Sequence, residues 1–415
     1  MERIEVDILI LGAGVTGLSL GSFLDGRDYL ILEREDSVGG YCKTKIQDGF
    51  VWDYSGHFFH FQDPEIKNYL LENIDCEIFT VQKKSHIYYS GNLIDFPFQN
   101  NIHQLALDEF IECLRDVYLT EKGDSSPRSF KEHIYSKLGK SICDKFVVPY
   151  NEKLYAIDLD LLDIESMGRF FPEVQSFEDL LTNISSREKK ISYNDTFIYP
   201  EFGCFEFIKS ILKRVDESKI LLNHNVIDVD LENREVRTKE KTFVFNKLVN
   251  TLPLNYLLKM SGGSTEALTS NKVAVFNLGF DLPTEITSNW IYFPGGEVFY
   301  RVGFYNNIFD SSRMSLYVEI GLPTNYSIRE EELLEKVIQD LNKSGIIKDQ
   351  KLISKQFIVM SPAYSHITEK SKSVYSDWCD KWNGRGIYSI GRYGEWTYCS
   401  IEDNIKQAKK LINKI

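Results

Sequence analysis

Six consecutive residues near the start of the chain have the types and spacing of a phosphate-binding turn. They form the run Gly12-Ala13-Gly14-Val15-Thr16-Gly17. Glycines here allow a tight turn, a close approach of backbone N–H groups to a pyrophosphate, and tight packing of a helix on a strand. Glu33 follows 21 residues after Gly12, where its carboxylate would accept both ribose hydroxyls of an adenosine and disfavour a 2′-phosphate. The spacing therefore predicts a dinucleotide site.

A β-α-β unit must hold this turn in place. The apolar run 6–11 precedes the turn, a helical stretch continues to about residue 25, and a second apolar run, 29–32, ends at Glu33. Strand-like runs recur at 220–249, and the chain closes with a strand at 386–391 followed by an amphipathic helix. We therefore expect an α/β fold in which the Rossmann-type domain is discontinuous.

The remaining patterns predict two further domains. Alternating residues at 79–98 and 272–320 are typical of strands, whereas apolar residues recur at helical spacing over 103–119 and 329–343. The expected division is a Rossmann-like domain (1–78, 200–262 and 384–415), a mainly helical substrate domain (99–195) and an antiparallel sheet domain (79–98 and 263–383).

Charge and composition exclude several classes of protein. The net charge of −13 over 415 residues repels phosphate backbones and anionic membranes, so we expect neither nucleic-acid binding nor membrane insertion. Seven scattered cysteines without a C-x-x-C pair favour reduced thiols in the cytoplasm over a disulfide framework or a metal site. The aromatic share of 13% is high, and nothing in the sequence decides between a monomer and a homo-oligomer.

The residues after Glu33 resemble a particular group of dinucleotide-binding folds. Arg34 and Gly39-Gly40 complete an E-R-x-x-x-x-G-G extension similar to the FAD-binding fold of amine oxidases, protoporphyrinogen oxidase, Rab GDP-dissociation inhibitors and UDP-galactopyranose mutases. The resemblance implies FAD as the cofactor, and a last helix, starting near residues 402–404, that directs its positive end at the flavin pyrimidine. It also implies later cofactor contacts, namely Gly56, His57, Val226 in a strand suited to the adenine, Thr251, Gly391, Arg392 and Asn404.

Five further motifs resemble UDP-galactopyranose mutases, especially the longer eukaryotic-type branch. They stand in the family's order at 53–61 (DYSGHFFHF), 96–101 (FPFQNN), 149–156 (PYNEKLYA), 290–301 (WIYFP to FYR) and 391–398 (GRYGEWTY). The resemblance implies pyranose–furanose interconversion of a UDP-galactose-like nucleotide sugar, in which N5 of reduced FAD attacks the anomeric carbon without net redox change. NAD(P)H would then be the external reductant, binding transiently in the substrate cleft.

The same resemblance implies roles for individual side chains. His57 would position the flavin ring, Arg301 would clamp the substrate diphosphate, and Arg169 would be the second arginine. The hydroxyl donors to the diphosphate would be Tyr292, Tyr364 and Tyr398. The nucleobase and ribose would lie among Phe96, Phe98, Gln99, Phe146, Asn151 and Tyr155.

Departures from the family pattern leave the identity of the sugar open. Phe96 stands where the eukaryotic-type branch often has Tyr, and Cys399-Ser400-Ile401-Glu402 stands where an Asn or Asp is expected after Tyr398. A deoxy or amino hexose or a pentose is an alternative to galactose. Two other classes also remain: an FAD-dependent oxidase or dehydrogenase of the amine-oxidase or protoporphyrinogen-oxidase type, and a non-enzymatic binding protein resembling the GDP-dissociation inhibitors.

Overall fold

A computed structural model describes residues 2–120, 126–167, 176–186, 195–309 and 311–415. The strands, numbered along the chain, are β1 (Glu2–Leu11), β2 (Tyr29–Leu32), β3 (Thr44–Gln47), β4 (Phe50–Asp53), β5 (Ile78–Gln82), β6 (Ser85–Tyr89), β7 (Asn92–Asp95), β8 (Thr196–Pro200), β9 (Ile220–Leu221), β10 (Asp228–Asp230), β11 (Glu235–Arg237), β12 (Lys241–Asn250), β13 (Asn271–Phe280), β14 (Trp290–Tyr292), β15 (Arg301–Phe304), β16 (Ser315–Pro323), β17 (Leu352–Met360) and β18 (Ile387–Ser389). The helices are α1 (Val15–Ser22), α2 (Pro64–Leu71), α3 (Leu107–Thr120), α4 (Phe130–Ile142), α5 (Val148–Tyr155), α6 (Phe177–Ser186), α7 (Phe205–Leu212), α8 (Leu254–Met260), α9 (Asn306–Phe309), α10 (Glu330–Lys343), α11 (Glu369–Trp382), α12 (Gly391–Gly394) and α13 (Ile401–Leu411).

The first sheet joins strands from both ends of the chain. Its order is β10-β11-β12-β1-β2-β9, and β18 pairs with the second half of β12. β1 runs parallel to β2 and β12, with Leu11 opposite both Leu32 and Asn250. The carboxyl ends of these strands therefore meet at one edge of the sheet, where α/β proteins of this type bind their ligands.

Alternate residues of β1 face opposite sides of this sheet. Ile8 and Ile10 pack with apolar residues of α1, α7 and α13, whereas Leu9 and Leu11 pack with α8 and α11. This two-sided burial explains why β1 reads as a continuous apolar run and not as an alternating one. Thus the predicted Rossmann-type layer is formed by segments from the beginning, middle and end of the chain.

The second sheet has the order β17-β13-β16-β15-β14-β6-β7. Its neighbours are antiparallel except for β6 and β14, which pair in parallel, because β6 enters the sheet from the earlier segment of the chain. One face packs against α10 and the other against the helical region from α3 to α5. The helical region therefore covers one face of the second sheet, and α10 covers the other.

Four details differ from the sequence-based expectations. β5 pairs with β8 in a separate two-stranded sheet and not with the second sheet. The helix expected from residue 103 begins at Leu107, after a single 3-10 turn at Ile102–Gln104. Val226, expected in a strand, lies in the loop between β9 and β10, because β9 ends at Leu221. The last helix begins at Ile401, since Ser400 caps it through a reciprocal bond with Asp403.

Within the described ranges, no helix is long and apolar enough to cross a membrane.

Candidate active site

The glycine-rich turn lies between β1 and α1 and can only be built from glycine at two positions. Gly12 has φ +98°, and a Cβ there would lie 2.8 Å from Oγ1 of Thr251, the residue that follows β12. A Cβ at Gly17 would lie 2.0 Å from the carbonyl oxygen of Gly12. Gly14 is the N-cap of α1 and has no side chain to cap the helix. The start of α1 is thus open to an anionic ligand, which suits its partial positive charge.

Glu33 connects this turn with the end of β2. It is 8% exposed, and its two carboxylate oxygens accept hydrogen bonds from the backbone N–H groups of Ala13 (2.9 Å) and Glu35 (3.0 Å). A carboxylate has about four acceptor positions, so two remain for ribose hydroxyls. The neighbouring Arg34 is in a different environment: it is exposed and forms an ion pair with Glu35 at 3.0 Å.

A second pair of glycines lies against the first turn. Gly39 and Gly40 have φ of +111° and +58°, and the N–H of Gly39 donates to the carbonyl oxygen of Ala13 at 2.8 Å. A Cβ at Gly40 would lie 3.3 Å from the Cα of Gly14. The two turns therefore form a surface on which side chains would occupy the space that a pyrophosphate needs. We call the residues of this surface, together with Glu33, the cofactor cradle.

The end of the chain completes the cofactor cradle. Oδ1 of Asn404, in the first turn of α13, accepts hydrogen bonds from the Thr16 hydroxyl and from the Arg392 backbone N–H, each at 2.8 Å. Gly391 has φ +87°, and a Cβ there would lie 2.5 Å from Oγ1 of Thr16. Residues predicted from opposite ends of the sequence are thus in direct contact. Val226, by contrast, is half-buried and packs against the apolar cluster that contains Leu9 and Leu11.

Arg301 forms an ion pair that the sequence analysis did not predict. It lies directly opposite Glu319 on the neighbouring strand, and its Nε and Nη2 donate to the two carboxylate oxygens at 2.6 and 2.8 Å. The Arg301 side chain is 20% exposed, whereas that of Glu319 is fully buried. Burial is the largest single influence and would raise the pKa of Glu319, but the Arg301 charge and the hydrogen bonds from Arg301 and Ser55 together hold that pKa below its usual value. Glu319 therefore remains ionised and fixes the orientation of the guanidinium.

A hydrogen-bonded chain connects this ion pair with the predicted flavin-facing loop. The hydroxyl of Ser55 donates to Oε1 of Glu319, and the Ser55 carbonyl accepts from Nδ1 of His57 at 2.9 Å. Burial is the largest cause that lowers the pKa of His57 to about 4, and the charges of Arg392 and Arg301 lower it further. His57 is therefore neutral near pH 7, with the proton on Nδ1 and Nε2 left as an acceptor.

Gly56, next to His57, is needed for close packing of this loop. A Cβ on Gly56 would lie 2.6 Å from the hydroxyl oxygen of Tyr317, which is fully buried. The Arg301 guanidinium lies 5.8 Å from the centre of the same tyrosine ring. Tyr317 therefore packs against both the loop and Arg301.

Two aromatic groups lie near Arg301, one containing Tyr292, its partner across β14 and β15, and one containing Tyr364; we call them the aromatic cleft. In the first, the ring of Tyr292 lies 5.1 Å from that of Phe96, 5.2 Å from that of Tyr150 and 6.4 Å from that of Phe146. Phe98 is fully buried behind Phe146, with its ring centre 5.4 Å away, so it supports the wall of the cleft and does not line it.

The second aromatic group contains a charge. Tyr364 lies 5.7 Å from Tyr155 and 6.0 Å from Tyr398, measured between ring centres. The guanidinium of Arg392 lies 4.5 Å from the centre of the Tyr398 ring and 5.4 Å from that of Tyr364. Arg392, predicted with the cofactor, is thus also in contact with the tyrosines predicted for the substrate. Tyr155 is only 2% exposed and supports Tyr364 from behind.

Three predicted site residues are less accessible or cannot be placed. Gln99 is 6% exposed, and Asn151 is 3% exposed with its Nδ2 donating to the carbonyl of Val147 at 2.7 Å. Oδ1 of Asn151 is buried without a partner among the described residues. Arg169 lies outside the described residues.

Two residues that fix the position of Arg301 and of the His57 loop, Glu319 and Ser55, were not predicted as site residues. The signal for Glu319 was a single acid within the apolar strand SLYVEIGLP.

These features define a flavin-binding fold, and the comparison with protein families agrees. The family model described as flavin containing amine oxidoreductase matches residues 25–403, and the chain belongs to this family. Its fold matches a crystal structure of reduced UDP-galactopyranose mutase with a TM-score of 0.91 at 23% identity, covering 98% of this chain and 93% of that one. The predicted fold class and the resemblance to UDP-galactopyranose mutase are thereby confirmed, whereas the eukaryotic-type branch stays a prediction.

Two curated relatives match parts of the chain. Protoporphyrinogen oxidase 2 of Arabidopsis thaliana is 26% identical over 188 residues, which are 41% of this chain and 36% of the oxidase. UDP-galactopyranose mutase of Mycoplasma genitalium is 22% identical over 260 residues, which are 59% of this chain and 58% of the mutase. The chain thus spans about a third of the first relative and somewhat under three fifths of the second. The family implies FAD, and the cofactor cradle fits it, because no side chain caps the start of α1 and the buried Glu33 carboxylate lies beside the turn.

Proposed function

We propose that the protein is a flavin-dependent nucleotide-sugar mutase, which interconverts the pyranose and furanose forms of a UDP-galactose-like substrate. The observation that carries this proposal is the Arg301–Glu319 pair, which holds an arginine within the aromatic cleft and is hydrogen-bonded through Ser55 to the His57 loop. An arginine fixed among tyrosines suits a diphosphate, because its planar fork can bind two phosphate oxygens.

Glu319 prepares Arg301 for this role. It occupies Nε and Nη2, and Nη1 has no hydrogen-bond partner within the ranges that the structure describes. The orientation of Nη1 is therefore fixed before a ligand arrives, and the entropy cost of ordering a long side chain is already met. Because Glu319 cancels much of the Arg301 charge, a second cation is needed, and Arg392 beside Tyr364 and Tyr398 supplies it.

The first aromatic group would hold the nucleoside. Phe96 and Tyr292 offer ring faces for stacking on a base, and Phe146 and Tyr150 close the wall behind them. Stacking of this kind accepts any base, so it supports a nucleotide without choosing it. The same rings exclude water, which strengthens the electrostatic interactions that hold a departing diphosphate.

The cofactor cradle would hold FAD, with the pyrophosphate at the start of α1 and the adenosine ribose at Glu33. When bound and reduced, FAD would supply the nucleophilic nitrogen for the anomeric carbon. His57 remains neutral at physiological pH and offers Nε2 as a hydrogen-bond acceptor beside the reacting groups. NAD(P)H as the reductant, the identity of the sugar, a cytoplasmic location, the state of oligomerisation and the domain boundaries remain predictions.

The test compares oxidised and dithionite-reduced holoenzyme against a panel of nucleotide sugars, with products separated by chromatography. Turnover is expected with the reduced enzyme alone. In the reduced enzyme, Arg301→Ala is expected to lower kcat by about 100-fold or more while bound FAD is retained. The matched control is Arg329→Ala, which removes an arginine whose side chain is 77% exposed. Near-normal activity of Arg301→Ala would refute the assigned role.

An FAD-dependent oxidase is the second candidate, and the match to the plant protoporphyrinogen oxidase favours it. This enzyme would remove hydride from a carbon and return electrons to oxygen. Turnover by the oxidised protein with release of peroxide would establish it and exclude the mutase. A purified protein without the flavin absorbance would instead support the non-enzymatic binding protein.

A further inference from the structure

The first turn of α13 contacts two different parts of the site. Asn404 faces the cofactor cradle through Thr16 and the Arg392 backbone, as described above. Glu402, two residues earlier, points to the loop that connects β4 with α2. Glu402 stands in the segment where the chain departs from the mutase pattern, which has Asn or Asp. Its contacts therefore show what this chain does with the substituted segment.

The carboxylate of Glu402 is buried and fully used. Its side chain is 2% exposed, and Oε2 accepts a hydrogen bond from the backbone N–H of Gln62 at 2.7 Å. The backbone N–H of Asp63 is 3.4 Å from the same oxygen. Oε1 is paired with Lys406, one turn further along α13, and Lys406 also lies 3.3 Å from Oδ2 of Asp63. The charge of Glu402 is thus compensated by Lys406 and by the backbone N–H of Gln62.

Gln62 lies next to the last residue of the loop that carries His57. The loop begins at Tyr54 and runs to Asp63, whose side chain caps α2 by accepting from the N–H of Glu65 at 2.9 Å. At its beginning the loop is fixed by the bond from Ser55 to Glu319. At its end the contact with Glu402 is a charge-assisted bond to a backbone amide, which is stronger than a neutral one.

The middle of this loop is held by different contacts. The carbonyl of Phe59 accepts from the N–H of Ile198 at 3.1 Å, and Nδ1 of His60 bonds to the Thr196 carbonyl at 2.9 Å. Both partners belong to β8, which pairs with β5 and lies outside the two large sheets. The rings of Phe58 and Phe59 pack against Trp290 and Phe207, with ring centres 5.2 and 3.8 Å apart. The loop is therefore fixed at its beginning, in its middle and at its end, and Glu402 holds the end.

We infer that Glu402 is a positioning residue, which sets the place of His57 by fixing the Gln62 end of its loop to the start of α13. Movement of the loop and of the cradle is coupled in this way, because α13 also holds Thr16 and Arg392 through Asn404. The inference rests on the proposed placement of His57 beside the flavin, and it applies to a mutase and to an oxidase alike.

The test uses the FAD-loaded protein and a pair of variants of equal side-chain length. Glu402→Met removes the acceptor, whereas Glu402→Gln keeps an oxygen that can accept from Gln62. In Glu402→Met we expect faster exchange of the Gln62 amide, a changed flavin midpoint potential and visible spectrum, and a fall in kcat of about tenfold with KM little changed. Glu402→Gln is expected to stay close to wild type in all four measurements.

A third variant separates the loop contact from the ion pair. Lys406→Met removes the pair but leaves the bond from Gln62 to Glu402, so it is expected to behave like Glu402→Gln. Equal shifts in Glu402→Met and Glu402→Gln would show an effect of charge alone and overturn the inference. A wild-type potential and kcat in Glu402→Met, or shifts in Lys406→Met as large as those in Glu402→Met, would overturn it too.

A variant that does not fold and a failure of the proposed mutase function can both be distinguished from a failure of this inference. If Glu402→Met does not fold, the double variant Glu402→Met/Lys406→Met, which leaves neither charge unpaired, takes its place with the same expectations. If the proposed mutase function is wrong, Arg301→Ala is expected to keep full activity. The shifts in midpoint potential and amide exchange that are expected for the Glu402 variants do not depend on that outcome. The two proposals can therefore fail separately.

Discussion

The cofactor cradle and the aromatic cleft meet at Arg392, yet they are built in different ways. The cradle depends on glycines whose backbone approaches another element so closely that a Cβ would collide, as at Gly12 and Gly17. The cleft depends on side chains that meet across strands, above all Arg301 and Glu319. Close backbone packing therefore determines the shape of the cradle. In the cleft, an ion pair between a partly buried arginine and a fully buried glutamate determines the position of Arg301.

The largest effect is expected from adding one methyl group to the cradle. In Gly17→Ala the Cβ would lie 2.0 Å from the Gly12 carbonyl oxygen, so the turn or α1 must move. We expect a protein without bound flavin, measured by the ratio of visible to ultraviolet absorbance. Gly384→Ala is the matched control, because no atom of the residues that the structure describes lies within 4 Å of a Cβ there. Retention of flavin by Gly17→Ala would mean that the turn does not bind the pyrophosphate.

The next largest effect is expected from removing the carboxylate that pairs with Arg301. Glu319→Gln leaves Arg301 without its counter-charge, and breaking such a buried pair costs about 3–5 kcal/mol of folding free energy. We expect a lower denaturation midpoint and a lower kcat, with flavin still bound under native conditions. Glu332→Gln is the control, since its pair with Arg329 is 61% exposed on the glutamate side and is worth at most about 1 kcal/mol. Equal losses in both variants would remove the special role of the Arg301–Glu319 pair.

A smaller effect is expected from pH, with opposite signs at two buried groups. The folded-state pKa of His57 is lowered to about 4, so its contribution to stability is complete above pH 6.5 and is lost as the pH falls toward 4. Burial raises the pKa of Asp53 to about 6, so its contribution is lost as the pH rises from 3.8 to 6.

Denaturant unfolding of wild type, His57→Gln and Asp53→Asn between pH 4 and 7 measures both slopes. His57→Gln is expected to lessen the loss of stability on acidification, and Asp53→Asn to increase it. An unchanged slope in His57→Gln would indicate that the imidazole is protonated equally in the folded and unfolded states.

The smallest effect is expected at Arg34. Sequence resemblance placed it with the cofactor, but its ion pair with Glu35 is exposed, with side-chain exposures of 54% and 53%. Arg34→Ala should change stability by at most about 1 kcal/mol and leave the flavin content unchanged. Loss of flavin in this variant would show that Arg34 contributes to cofactor binding, as the family resemblance implies.

Much of the cradle could be predicted because its residues are close in sequence and obey a steric rule. Gly12, Gly17 and Glu33 belong to one β-α-β unit, whose spacing is fixed by the length of a strand and a helix. Val226 was wrongly expected in a strand, since the short β9 ends five residues before it. No local pattern could indicate where that strand stops pairing with β2.

The sequence patterns predict the fold class and much of the cradle, and the resemblance to UDP-galactopyranose mutases indicates Arg301 as a candidate. Only the tertiary structure decided that Glu319 binds Arg301, that Ser55 connects this pair to His57, and that Glu402 holds the end of the His57 loop. The reason is physical: the spacing of the first glycines and Glu33 is fixed within one β-α-β unit. The side-chain contacts instead depend on which residues the register of strands and the packing of helices bring together, as in the hydrogen bond between Gln62 and Glu402, which are 340 residues apart.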